Sequence, residues 1–230
     1  MDQKNPYLLP VAIIIAGAIL AGAIYLVRTG GVIATPMGDT SLTRPVDDTD
    51  RVVGSPDAPV MIVEYSDIDC AYCKDFQAVL EQLMAEYGPG GQVAWTYRHF
   101  PVLSLHPNAA LHAEAAECAG SLGGTNAFFR FIGALQQAAP DINQFSPSGY
   151  EGVVTSLGLS VADFNSCVQS DRFVGKVTSD FENAVDAGGT GTPYTVILIE
   201  GSEPLSITGA IPYAAMKEVI DQALTKVTTE

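Results

Sequence analysis

Basic residues are scarce in this chain of 230 residues. It has 11 lysines and arginines against 26 aspartates and glutamates, which gives a formal net charge of −15. Nucleic-acid binding requires clustered basic side chains that face phosphates, so this composition argues against a nucleic-acid partner. The same shortage argues against docking on anionic lipid through a basic patch.

Cysteines and charged residues are also few. Four cysteines are too few for a small domain that depends on disulfides in place of a core. Charged residues make up 16% of the chain and apolar residues 47%, which excludes a disordered chain or a coiled coil. The length suits one domain of ordinary size, with or without a further segment.

One long apolar run lies near the start of the chain. Residues 7–27 are almost wholly apolar and carry no charge, and as a helix they would extend about 31 Å, the thickness of a bilayer core. We expect a short tail at 1–6 and an uncleaved transmembrane signal anchor at 7–27. A cleaved signal peptide is the alternative, with small residues near Val32-Ile33-Ala34.

After this run the sequence predicts a linker and then one domain. Residues 28–52 contain glycine, proline and aspartate without apolar periodicity, which is typical of a flexible linker. The domain is expected at 53–230. Its first strand contains Val60–Val63, a β-branched apolar run typical of a strand buried on both faces. Apolar steps of three and four residues over 72–87 predict an amphipathic helix, and 92–97 a second strand.

The second half of the domain completes an α/β pattern. Residues 108–187 are mostly helical in pattern, 194–199 and 205–207 predict a β-hairpin, and Pro212 opens a last amphipathic helix. The predicted order is therefore β-α-β, a helical block, and β-β-α.

The residues best suited to chemistry are Cys70-Ala71-Tyr72-Cys73, where the first strand gives way to the first helix. This spacing brings both sulfurs onto one helical turn, and the helix N-terminus stabilises the first cysteine as a thiolate. A zinc site lacks a second ligand pair, because Cys118 and Cys167 stand alone, and a covalent haem site lacks a histidine after Cys73. We expect a redox-active pair without metal or cofactor; a purely structural disulfide is the alternative.

Three motifs resemble those of the DsbA-type thiol-disulfide oxidoreductases. They are Glu64–Cys73, Tyr97–Pro101 and Gly191–Pro193, in that order. The resemblance covers about residues 53–227 and implies a thioredoxin-like fold, with the helical block at about 105–187 as an inserted subdomain.

The resemblance also implies roles for individual residues. Cys70 matches the nucleophile and Cys73 the resolving cysteine. Pro193 matches the family's cis-proline, which leaves the backbone of Thr192 free to pair with an extended substrate. Tyr72, between the two cysteines, is expected to contact substrate.

Glu64 stands six residues before Cys70, where the family often has a buried acid. Its neighbours Val60–Val63 favour burial, and burial would raise its pKa into a range useful for proton transfer. A glutamate that faces solvent at the end of the strand is the alternative.

The chain departs from the best-known DsbA pattern beside its nucleophile. That pattern has Pro-His between the cysteines, where this chain has Ala71-Tyr72, and a tyrosine cannot stabilise a thiolate by charge. Asp67 and Asp69 are expected to oppose the Cys70 thiolate, while Lys74 would favour it. We therefore predict a milder oxidant than the archetype.

Cys118 and Cys167 both fall in the helical block. Some members of the family carry a second, structural disulfide there, which by loop entropy would contribute about 4 kcal/mol. Two buried free thiols are the alternative; an oxidising compartment favours the bond.

The resemblance predicts a membrane-anchored oxidoreductase whose domain lies outside the cytoplasm, in the periplasm or at the cell exterior. Its substrates would be unfolded or reduced extracytoplasmic proteins, and a DsbB-like or vitamin-K-epoxide-reductase-like membrane protein would reoxidise it. A reductase or disulfide isomerase on the same fold is one alternative. A non-catalytic binding module with structural disulfides is the other.

Overall fold

The structure is a computed structural model that describes residues 39–138 and 145–227. The predicted transmembrane segment 7–27 lies outside these residues. Among the helices in the described ranges, none is both long enough and apolar enough to cross a membrane.

A single mixed sheet forms the centre of the domain. Its strands are β1 (Arg51–Val53), β2 (Val60–Ser66), β3 (Val93–His99), β4 (Tyr194–Ile199) and β5 (Ser202–Thr208). They lie in the order β1-β3-β2-β4-β5. The β2–β3 pair is parallel, and the other three pairs are antiparallel.

Six α-helices surround the sheet within the described ranges. They are α1 (Ala71–Tyr87), α2 (Ala109–Ala138), α3 (Tyr150–Ser156), α4 (Val161–Gln169), α5 (Val174–Asp186) and α6 (Tyr213–Val227). Helix α2 consists of two stretches that meet at Gly124, whose φ of 74° suits a residue without a side chain. Helices α2 to α5 fall between β3 and β4, so the predicted helical insertion is confirmed.

Strand β2 is central and buried on both faces. Val60 and Ile62 belong to the core beneath α1 and α6, whereas Met61, Val63 and Tyr65 belong to the core beneath α5. Because successive side chains of a strand point to opposite faces, a strand covered on both sides is apolar without interruption.

Part of the predicted linker is instead folded onto the domain. Arg98 is fully buried, and its guanidinium donates two hydrogen bonds to Asp50, at 3.0 and 2.8 Å. It also donates to the backbone oxygens of Arg44 and Pro45. These contacts and the pairing of β1 with β3 hold residues 39–53, so the prediction of a flexible linker is wrong for residues 39–52. Residues 28–38 lie outside the described range.

The predicted hairpin is present, but its turn is shorter than expected. The strands join at Glu200 and Gly201, and Gly201 has a φ of 71°. Glu203 and Pro204, predicted as turn residues, lie in β5. That strand is at the edge of the sheet, where proline is tolerated because one side has no partner to bond.

Candidate active site

The two cysteines of the motif lie at the start of α1, directly after the loop that follows β2. Cys70 is the N-cap residue in extended conformation, and Cys73 is in the first turn. Both are free thiols in this structure. Cys70 is 8% exposed and Cys73 2%, so an incoming sulfur can reach Cys70 more readily. Tyr72, at 71% exposure, stands beside them at the surface.

The loop before β4 brings a distant part of the chain to Cys70. The Thr192–Pro193 peptide bond is cis, as the resemblance implied. The Cys70 sulfur lies 3.8 Å from the backbone oxygen of Thr192, which is 122 residues away. Any chain that binds along Thr192 would therefore pass directly over the sulfur of Cys70.

The two thiols have opposite acidities. The pKa of Cys70 is lowered to about 6, because its thiolate is stabilised chiefly by the Cys73 thiol and also by backbone N–H groups of α1 and by Thr192. The pKa of Cys73 is raised, first by burial and then by the neighbouring Cys70. Cys70 is thus suited to be the attacking or leaving thiolate, while Cys73 holds its proton.

Glu64 lies on β2 behind the cysteines and is fully buried. Its carboxyl accepts hydrogen bonds from Ser66 Oγ at 2.8 Å and from Trp95 Nε1 at 3.2 Å. Burial raises the pKa of Glu64 to about 8, against these two hydrogen bonds, which lower it. The alternative of a glutamate facing solvent does not hold.

Each of the aspartates before Cys70 has a histidine partner, partly buried His106 or fully buried His112. Asp67 accepts from the backbone N–H of Val102 and is paired with His106 Nδ1, both at 2.8 Å. Asp69 is paired with His112 Nδ1 at 2.5 Å. Both carboxylates are thus engaged by other groups, and the main influences on the Cys70 thiolate are Cys73, burial, Thr192 and the helix backbone. The expected opposition from the two aspartates is not among them.

These observations agree with comparisons to known proteins. A protein-family model described as Thioredoxin matches residues 46–222. The chain belongs to the thioredoxin family.

Solved structures place this thioredoxin-family chain with the DsbA-like folds. DsbA2 of Pseudomonas aeruginosa superposes with a TM-score of 0.67 and 23% identity, over 81% of this chain and all of that one. Oxidised BdbD of Bacillus subtilis gives a TM-score of 0.67 and 22% identity, over 79% of this chain and 96% of that one. The predicted thioredoxin-like fold with a helical insertion is therefore confirmed.

Curated relatives match through one part of their length. A Na(+)/H(+) antiporter, NhaA 3 of Salinispora tropica, is 30% identical over 167 residues, which cover 72% of this chain and 24% of that protein. NhaA 1 of Mycolicibacterium gilvum is 30% identical over 150 residues, 65% of this chain and 23% of that protein. The chain spans about a quarter of the length of these relatives.

The other two cysteines of this thioredoxin-family domain are bonded to each other. Cys118 in α2 and Cys167 in α4 form a disulfide, so the alternative of two free thiols does not apply. In the portion of the chain that the structure describes, no group of three or more histidine, cysteine or acidic residues is placed to hold a metal ion.

One groove borders the site, and a second, larger groove lies farther along α1. The first, of about 530 Å³, begins at Thr190 and Gly191, directly before Thr192, and is mostly apolar. It is lined by Phe100, Val102, Leu103, Val177, Phe181 and Val185. The second, of about 770 Å³, lies between the sheet, α1 and α2, and its walls include Trp95, Gln77 and Glu81.

Sequence reasoning missed the Asp67–His106 and Asp69–His112 pairs. Their members are 39 and 43 residues apart, and no local pattern marks such a pairing. The available signal was that Asp67 and Asp69 flank Ile68, an apolar residue that is buried. A charge in a buried loop requires a partner, so each aspartate should have one.

Proposed function

We propose that this protein is a thiol-disulfide oxidoreductase that introduces or exchanges disulfides in extracytoplasmic proteins through Cys70 and Cys73. The observation that carries the proposal is the difference between the two thiols: an acidic Cys70 beside the cis Thr192–Pro193 bond, and a shielded Cys73 with a raised pKa. This asymmetry suits a pair in which one sulfur meets substrate and the other resolves the bond.

In the oxidising direction, a substrate thiolate attacks the sulfur of Cys70 in the Cys70–Cys73 disulfide. A mixed disulfide forms, and Cys73 leaves as a thiolate that takes up a proton. A second substrate thiolate then attacks the substrate sulfur of the mixed disulfide, and Cys70 leaves as a thiolate. The substrate loses two electrons and gains a disulfide, and the cysteine pair gains both electrons.

Each side chain near the pair has a role in this scheme. The low pKa of Cys70 makes it a good leaving group in the second step. Glu64, with its raised pKa, can give a proton to the Cys73 thiolate and later take it back. An extended substrate would pair with the backbone of Thr192, and exposed Tyr72 and the apolar groove would contact its side chains.

The cellular setting is part of the proposal. The apolar segment 7–27 would anchor the protein, with its domain outside the cytoplasm. The Cys118–Cys167 disulfide supports an oxidising compartment, since such bonds are rare in the cytosol. Reoxidation would come from a DsbB-like or vitamin-K-epoxide-reductase-like membrane protein, as the DsbA-like fold suggests.

The deciding experiment is the redox equilibrium of the full chain in glutathione buffers, in nonionic detergent, with Cys70 followed by alkylation and mass spectrometry. A potential above about −150 mV supports a dithiol oxidase, whereas a value near −230 mV or below supports a reductase instead. No exchange at Cys70 would refute the proposal and support a binding module. A Cys73→Ser variant should accumulate a mixed disulfide at Cys70, and Cys70→Ser should form none.

A further inference from the structure

A buried polar cluster lies behind Cys73, on the face of the sheet that α1 covers. Glu64 and Tyr97 are register partners in β2 and β3, and Ser66, two residues after Glu64, points to the same face. Helix α1 buries Cys73, and all four residues are at most 2% exposed. Protons exchanged inside this cluster must therefore pass between its own groups.

The hydroxyl of Ser66 is hydrogen-bonded to Glu64 and affects the pKa of two other members of the cluster. It donates a hydrogen bond to Glu64 Oε1 at 2.8 Å. The same hydroxyl acts on the buried Cys73 thiol, whose raised pKa it lowers, and on Tyr97, whose pKa is raised mainly by burial and then by Glu64. Ser66 is thus a link between the carboxyl and the resolving sulfur.

We propose that Ser66 is a proton-relay residue that carries a proton between the Glu64 carboxyl and the Cys73 sulfur. The inference rests on the proposed function. When substrate opens the Cys70–Cys73 disulfide, the Cys73 thiolate takes the hydroxyl proton of Ser66, and Ser66 takes the carboxyl proton of Glu64. The products are a Cys73 thiol, an intact Ser66 and a Glu64 carboxylate. On reoxidation both transfers reverse.

The charges that face Glu64 favour proton transfer from Glu64 towards Cys73. The titratable groups that act on Glu64 are Cys70 at the N-cap of α1, Glu81 on α1 and Tyr97 on β3, with Cys73 in the same cluster, and none of these is a cation. Together with burial they keep the pKa of Glu64 at about 8, so the proton is held at neutral pH and released when a thiolate forms nearby.

The other side of the carboxyl faces Trp95, which borders the larger groove. The Trp95 indole donates to Glu64 and also forms part of the wall of the larger groove. Gln77 and Glu81, hydrogen-bonded to each other at 3.0 Å, line the same groove. The Trp95 indole therefore separates Glu64 from this groove, and Glu64 regains its proton from Cys73 on reoxidation.

The test is the single-turnover oxidation of a dithiol peptide by the oxidised full chain, from pH 6 to pH 9.5. We expect Ser66→Ala to slow disulfide opening roughly ten- to a hundredfold at pH 7, within the range of general acid catalysis. The ratio of wild-type to variant rate should approach one above about pH 9, where Glu64 has lost its proton. Comparing rates at each pH cancels the ionisation of the peptide.

Matched variants separate a relay from a structural role. Ser66→Thr keeps the hydroxyl and should restore the rate, whereas Ser66→Val, of almost the same shape, should not. Thr96→Val is the control, because Thr96 is a buried strand hydroxyl without a partner among the described residues. It should stay within about twofold of wild type. The Thr–Val pair at position 66 also serves if the alanine variant folds poorly.

A double-variant cycle gives the sharpest outcome. If Ser66 acts through Glu64, then Glu64→Gln combined with Ser66→Ala is no slower than Glu64→Gln alone. If instead the double variant is slowed by the product of the two single effects, the relay is refuted. Wild-type rates for Ser66→Ala would also overturn it while leaving the proposed function intact, whereas no exchange by the wild-type protein would refute the proposed function itself.

Discussion

Glu64 is a buried carboxyl whose environment favours its neutral form. Its hydrogen bonds to Ser66 and Trp95 stabilise the carboxylate, but burial outweighs them and leaves the pKa at about 8 rather than the ordinary 4.5. A group of this kind is useful for proton transfer near neutral pH and has a cost for the stability of the folded state.

This cost predicts that the free energy of unfolding differs between wild type and Glu64→Gln in a pH-dependent way. Between about pH 4.5 and pH 8 folded Glu64 keeps a proton that the unfolded chain has released, so the contribution of Glu64 to stability falls as pH rises through this window and is constant above it. Glutamine does not ionise. Relative to wild type, the variant should therefore gain stability across the window, by on the order of a few kcal/mol.

Urea denaturation at several pH values, followed by the fluorescence of Trp95, the chain's one tryptophan, measures this difference. Conversion of Asp75 to asparagine is the matched control, because Asp75 is an exposed acid on α1, on the same side of the sheet. A stability difference that does not change with pH would contradict the raised pKa.

At the residue scale, local signals located the cysteines and Glu64 but not their partners. Cys70 and Cys73 form a short motif, and Glu64 follows an apolar run, so both could be found from neighbours in sequence. The pairing of Asp69 with His112 depends on how α2 packs against the loop. That packing is a property of the fold, which no sequence window contains.

At the scale of elements, the disulfide ties two helices of the insertion together. Replacing Cys118 and Cys167 by alanine opens a loop of 49 residues, which by loop entropy lowers the free energy of unfolding by about 4 kcal/mol. Thiol exchange at Cys70 should persist at a temperature where the variant is folded, because this bond is separate from the Cys70–Cys73 pair.

The measurement is urea denaturation of both proteins with and without a strong reductant. The reductant acts on the Cys70–Cys73 pair in both proteins, so on reduction the wild type should lose about 4 kcal/mol more than the double variant does. The wild type could lose stability on reduction while the double variant is less than about 1 kcal/mol less stable than the oxidised wild type. That result would show that strain from the two thiols, and not the loss of loop closure, destabilises the reduced protein.

Elements with a strong apolar periodicity could be predicted from the sequence. Short elements, and segments held by distant contacts, could not. Helix α1 and strand β2 were found within a few residues, because each carries an apolar pattern of its own. Strand β1 has three residues, which are too few to show an alternating apolar pattern. Residues 39–50 look like a linker in the sequence. The contact that holds them, the buried Arg98–Asp50 pair, joins positions 48 residues apart and therefore leaves no local pattern.

At the scale of the whole molecule, the dominant property is negative charge. Asp2 and Lys4 cancel, so the net −15 belongs to residues 28–230. A charge of this size sets up a long-range field that acts on any charged substrate before contact. It also repels itself, and dissolved salt weakens both effects.

The field predicts that substrate charge governs the rate of encounter. For peptides with the same cysteines, one with several lysines should react with the oxidised protein about tenfold faster than one with several glutamates at 10 mM salt. The two rates should converge to within about twofold at 500 mM salt, where the screening length falls to a few ångströms. A neutral peptide should lie between them and depend little on salt. Stopped-flow measurement over a salt series tests this, and equal rates at low salt would mean that the local surroundings of Cys70, such as Lys74, outweigh the net charge of the molecule.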